Sequence, residues 1–156
     1  MRKYLLTKLF LILAGGLAFA GAYQSGERVE SFLIKDQHDV SFQFEPRNVR
    51  YLLVSHDMET GKKANAVLSA LGKDYLPARK AVFLANIHGM PAVGRAFALP
   101  KMRKYTHQIL LGDSEELMAR FPQETGEITI LKITDGKVES IGYWNPAAGS
   151  VADYLK

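Results

Sequence analysis

Runs of apolar residues, alternating in some places and continuous in others, divide this chain into short elements. Phe32 and Ile34 alternate with Leu33 and Lys35. After a turn over Asp36 to Asp39, Val40, Phe42 and Phe44 alternate with Ser41 and Gln43. A period of two belongs to strands with one buried face, so this stretch predicts a strand pair. Glu45-Pro46-Arg47-Asn48 breaks the chain, and Tyr51-Leu52-Leu53-Val54 is a continuous apolar run that suits a strand buried on both faces. Ala64, Val67, Leu68 and Leu71 then recur at helical spacing, with Gly72 as the stop.

Ala81 to Ala85 predicts a second buried strand. Pro91 opens a helix carrying Val93, Ala96 and Phe97, which Pro100 should end or kink. Ile109-Leu110-Leu111 is a brief third strand of this kind. Asp113 with Glu116 resembles a capping box leading a short helix through Leu117 and Phe121. Ile128 to Ile133 and Ser140 to Trp144 flank Asp135-Gly136, a strong hairpin signal, and Asn145-Pro146 should start a terminal helix with Val151 and Leu155 on one face. The order is ββ, βαβα, a short βα and ββα. Right-handed parallel crossovers and an antiparallel final hairpin then imply an α/β domain: a mixed central sheet flanked by helices, with an N-terminal β-hairpin.

Composition changes the picture at the amino terminus. The chain has 156 residues, 47% of them apolar and 23% charged, the balance of one globular domain rather than a disordered segment. Arg2, Lys3 and Lys8 precede the apolar stretch Leu9 to Ala20, and Ala18-Phe19-Ala20 offers small residues at signal-peptidase spacing. Residues 1–20 therefore read as a signal peptide with cleavage near Ala20 or Ala22, residues 21–28 as a lead-in and 29–156 as one domain. The expected location is periplasmic or secreted; an uncleaved N-terminal membrane anchor is the alternative. No other window approaches the length of a membrane-spanning helix.

Of 20 basic side chains, three lie in that segment, leaving 17 against 16 acidic ones. A near-neutral domain lacks the basic face that nucleic-acid binding requires. The chain contains no cysteine, so there is no disulfide to staple it and stability must come from the core.

Three segments carry a resemblance to the thioredoxin-like superfamily, in its peroxiredoxin-like and periplasmic thiol-oxidoreductase branch. Phe32-Leu33-Ile34-Lys35-Asp36-Gln37-His38 looks like the opening hairpin of those proteins. Gln108-Ile109-Leu110-Leu111-Gly112-Asp113 looks like their short extra strand, and Thr129 to Val138 like the strand and Asp-Gly hairpin that follow their cis-proline. The resemblance covers residues 26 to 155 and implies a thioredoxin-like fold. It fails at the chemistry. The place of the family's CxxC is filled by Thr60-Gly61-Lys62-Lys63, and Ile128 stands where the cis-proline should be. A hydroxyl cannot replace a thiolate in disulfide exchange, so dithiol and cysteine-peroxidase activities are excluded. A cis bond before a non-proline costs about 2.5–4 kcal/mol, so a trans bond is expected before Ile128.

In open α/β sheets ligands gather at the carboxyl ends of the parallel strands. Those ends should hold Ser55, His56 and Asp57 after the first buried strand and His88 after the second, with Glu59 and Thr60 at the helix start and Glu127 in the former cis-proline loop. Two imidazoles with a carboxylate from His56, Asp57, Glu59 and His88 would suit zinc or copper by ligand type. The plainer reading has His56 and Asp57 capping the helix and His88 bonded to a loop carbonyl, with no cofactor. Thr60 is explained by a helix cap more simply than as a nucleophile. Arg95, Lys101, Arg103 and Lys104, with Tyr105 and His107 behind them, form a basic cluster suited to an acidic partner or to a solvated helix end. Trp144, Tyr143 and Phe121 read as packing. Gly89, Gly94 and Gly112 lack the spacing of a nucleotide fingerprint. The expectation is a redox-inactive binding or accessory module with a protein partner outside the cytoplasm, holding it through Thr60, Lys62, Lys63, Glu127 or the Arg95–Lys104 segment; a metal-dependent protein is the alternative.

Overall fold

The computed structural model describes residues 21–156. The expected signal segment over residues 1–20 lies outside the described residues. Strand β1 (Phe32–Lys35) pairs with β2 (Ser41–Phe44) in a two-stranded antiparallel sheet. Strand β3 (Tyr51–Ser55) leads into helix α1 (Met58–Leu71) and a short helix α2 (Tyr75–Ala78). There follow β4 (Ala81–Asn86), α3 (Ala92–Met102), β5 (Leu110–Gly112), α4 (Glu115–Ala119), β6 (Ile128–Thr134) and β7 (Lys137–Trp144). The central sheet has the order β5-β4-β3-β6-β7. β5, β4 and β3 are parallel, while β6 runs antiparallel to β3 and β7 antiparallel to β6. This is the mixed sheet and N-terminal hairpin expected from the pattern.

β3 is the middle strand, and all five of its residues are buried. Successive strand residues face opposite sides of a sheet, and the core divides accordingly. Tyr51 and Leu53 join Phe83, Ala64 and Leu68 of α1, and Trp144, Val151 and Leu155 on one face. Leu52 and Val54 join Leu84, Leu110, Phe44, Met118 and Phe121 on the other. Helices α1 and α3 cover the first face; α4 and the β1–β2 hairpin cover the second.

Local chemistry explains the element ends. Gly72 closes α1 with φ of 93°, a value that carries a Cβ penalty for other residues. Asp135 and Gly136 both have positive φ, as a two-residue hairpin turn of the primed type needs. Asp36, buried in the turn of the first hairpin, accepts bonds from the backbone N–H groups of His38 and Val40 through Oδ1. Every described peptide bond is trans, including the one before Ile128.

Several expectations need correction. The terminal helix is reduced to one 3-10 turn over Val151–Asp153. Asn145 Oδ1 takes the N–H of Ala147 in a local turn, and Ser150 has to cap afresh, so too few residues remain for a longer helix. Val151 and Leu155 are nonetheless both buried. The cap of α4 is Ser114, whose hydroxyl accepts from Leu117 N–H, because Asp113 is committed to Arg95. Pro100 does not stop α3, which continues to Met102. On α3, Val93 and Phe97 are 72% and 71% exposed. The stripe of Val93, Ala96 and Phe97 thus faces solvent rather than the core.

A cleft between two helices at the strand edge

Asp57 begins α1 with extended backbone, and its Oδ1 accepts from Thr60 N–H at 2.8 Å. Asp57 is thus the N-cap. Of the residues read as caps, Asp57 alone takes that place; Thr60 sits one turn inside the helix and is buried, because the chain has already turned helical at Met58. Glu59 and Lys63 pair at 3.3 Å on the exposed side of the helix.

The His56 imidazole is directed to β6. Its Nε2 lies 3.1 Å from Thr129 Oγ1 on β6, and that hydroxyl donates to the Pro122 carbonyl at 2.5 Å. The hydroxyl proton is already used, so His56 Nε2 must be the donor. Burial holds this imidazole below its ordinary pKa, against the opposing pull of the Pro122 carbonyl and Asp57. His88 belongs to the opposite flank: its N–H bonds the Gly112 carbonyl at the end of β5 and Asn86 Oδ1. The His56 imidazole is thus engaged on the β6 side, while His88 lies close enough to Asp113, beyond β5, to help hold that carboxyl down. Among the described residues no group of three or more His, Cys, Asp or Glu is placed to hold a metal ion. Glu127 lies in the loop before β6, where it and Glu124 help raise the pKa of Tyr143, after the larger effect of burial.

The basic cluster also divides. Arg95 grips both oxygens of Asp113 at 2.6 Å and bonds the carbonyls of Met90 and Ile87. That bidentate bond holds the Asp113 carboxyl below its usual range. Arg103 donates from Nε to the Gln37 carbonyl, tying α3 to the first hairpin. Both arginines are thus structural fasteners. His107 is buried with its Nε2 2.9 Å from Asn65 Oδ1, and burial pushes its pKa down to about 4. Lys101 and Lys104 are exposed and enter no ion pair among the described residues.

What the structure brings together instead is a cleft of about 210 Å³ between α1 and α3, beside the carboxyl ends of β3 and β4. Ser55, Asn65, Gly61 and Gly94 line it, with Met58, Met90, Phe97 and Met102 as apolar walls and Lys62 and Lys101 among its charged residues. A Cβ on Gly61 would stand 3.2 Å from Ser55 Oγ, and one on Gly94 would stand 3.1 Å from Met90 Cγ. Each helical glycine costs roughly 1 kcal/mol relative to alanine, and at each an added Cβ would crowd a residue that lines the cleft. Asn65, the methionines and Phe97 were missed by sequence reasoning. The two glycines inside helical periods were the available signal.

A larger groove of about 630 Å³ runs between the first hairpin and the α3–β5 side. Its charges are spent internally: Arg95 on Asp113, Lys35 on Asp39 and Arg103 on Gln37. It is less suited to a charged ligand than the smaller cleft.

Solved structures resemble this arrangement. The thioredoxin domain of a thiol-disulfide oxidoreductase from Bacteroides vulgatus superposes with a TM-score of 0.55 at 12% identity, over 86% of this chain and 100% of that one. The fold is thioredoxin-like. Peroxidoxin BcpB from Mycobacterium tuberculosis gives a TM-score of 0.57 at 16% identity, covering 85% of this chain and 94% of that one. A putative thiol:disulfide interchange protein DsbE from Chlorobium tepidum gives 0.57 at 13%, covering 86% and 96%. No protein-family model matches the chain. No curated protein matches it either. On this thioredoxin-like scaffold, the helix start at which the resemblance puts two cysteines holds Thr60-Gly61-Lys62-Lys63. Thiol–disulfide exchange has no sulfur nucleophile in these 156 residues. No helix among the described residues is long and apolar enough to cross a membrane.

Proposed function

We propose that this protein is an exported, redox-inactive thioredoxin-like binding module that holds a protein partner on the α1–α3 edge. One observation carries the reading: Met58, Val93 and Phe97 are large apolar side chains left 50–72% exposed beside an open cleft. Single exposed apolar residues are ordinary, but a group bordering a cleft and rimmed by charge is the usual form of an interaction site. His56 Nε2, Arg95 and the Nε of Arg103 are bonded within the protein, which favours holding over chemistry. The basic start and apolar run of residues 2–20 support export.

A photo-crosslinking residue at position 97 tests the surface, with position 33 on the first hairpin as an equally exposed apolar control. The expected result is one discrete adduct in the extracytoplasmic fraction from position 97 and none from 33, reproduced with the purified partner. Equal labelling from both positions, or a protein retained in the cytoplasm, sinks the proposal.

A further inference from the structure

The cleft has the chemistry of a carboxylate receptor with an apolar annex. On its floor, Ser55 is buried and its Oγ has no hydrogen-bond partner among the described residues. Asn65 is also buried; its Oδ1 is occupied by His107 Nε2, leaving the Nδ2 hydrogens unused. Neither atom is among the groups sealed from solvent without a partner, as His107 Nδ1 is, and both residues line the cleft. Lys62 from α1 and Lys101 from α3 bring positive charge from the two sides, and neither is paired among the described residues. Asp57, the carboxylate that also lines the cleft, is engaged as the cap of α1.

Such a set favours one negative group flanked by donors, with apolar substance attached to it. The volume of about 210 Å³ lies below the roughly 300 Å³ at which pockets for drug-sized ligands begin. It therefore takes little more than a carboxylate and one side chain. Beyond it, Phe97 and Val93 continue the apolar surface for one turn of α3, which suits the residues preceding such an end group.

We infer that the cleft captures the C-terminal carboxylate of a partner polypeptide ending in an apolar residue. Lys62, Lys101, Ser55 and Asn65 receive the carboxylate, and Met58, Met90, Phe97 and Met102 surround the terminal side chain. Backbone termini are recognised in this way when charge and donors converge beside an apolar pocket. The inference rests on the α1–α3 edge being the binding surface, but it can fail separately. Crosslinking from position 97 tests the surface, whereas the experiment below tests the end group.

The full chain would be titrated by calorimetry with acetylated hexapeptides ending in Leu, Met, Phe or Val, each as free acid and as C-terminal amide. At least one free acid should bind one to one and at least tenfold more tightly than its amide. The double variant Lys62→Ala/Lys101→Ala should remove most of that discrimination. Met58→Glu, at an exposed wall position, should abolish binding with the fold intact by circular dichroism. Free acids that bind no better than amides overturn the inference, as does discrimination that survives the double lysine variant. Octanoate binding in the absence of any peptide binding also overturns it, in favour of small carboxylates.

Discussion

Helices α1 and α3 cover the same face of the sheet and differ in what they bury. α1 places Ala64 and Leu68 in the core with almost no exposure and has Asp57 and Gly72 as defined ends. α3 buries Met102 and half-buries Leu99, has no side-chain cap, and leaves Val93 and Phe97 in solvent. Apolar residues surround most of α3: Val93, Ala96 and Phe97 form one stripe, while Leu99 and Met102 form another. A helix beside a sheet can bury one stripe only, so the second is left for something else. The same helical period thus means core in one helix and open surface in the other.

The largest effect that would break this comparison concerns core volume. Leu68→Ala should cost about 2–5 kcal/mol in urea unfolding, a large share of the stability of a domain this size. Phe97→Ala should stay within about 0.5 kcal/mol of the parent, because its ring already meets water. A loss at Phe97 as large as at Leu68 would show that α3 packs as tightly as α1.

A second effect sharpens the contrast through pH. Buried His107, against Asn65 of α1, stays neutral down to about pH 4, whereas the unfolded chain takes up a proton below about 6.5. The unfolded state then binds more protons, so stability rises with pH across that window. Acidification from 6.5 to 4 should remove about 3 kcal/mol through this group, at about 1.4 kcal/mol per pH unit. Urea midpoints at several pH values should show the slope, and His107→Gln should flatten it.

The smallest effect tests the helix start. Asp57→Ala should cost about 1 kcal/mol by removing the bond to Thr60 N–H. Thr60→Ser, which keeps its hydroxyl but loses a buried methyl, should cost about 1 kcal/mol by lost packing instead. Thermal unfolding of both variants separates the cap from the buried residue behind it.

Much of the scaffold was legible because its signals are local. The alternation in β1 and β2, the continuous runs of β3 and β4, the helical spacing in α1 and the Asp135-Gly136 turn each reflect a few consecutive residues. The site was legible only in part. Ser55, Thr60, Lys62 and Lys101 were marked by their position along the chain, but Thr60 turned inward and His56 found its partner in Thr129. Arg95 and Arg103 looked like free charge, and nothing in the sequence pairs Arg95 with Asp113 eighteen residues away or Arg103 with Gln37.

The order of strands and helices, the absence of thiol chemistry and the near-neutral charge of the domain were readable from the chain alone. Each depends on residue types and short spacings. Only the assembled fold settled which stripe of α3 met the core, which charges were spent on internal bonds, and that a cleft lined by Gly61 and Gly94 would remain between α1 and α3. Those outcomes depend on how elements far apart in the chain settle against one another. A side chain's freedom to bind is what remains after its neighbours have been satisfied.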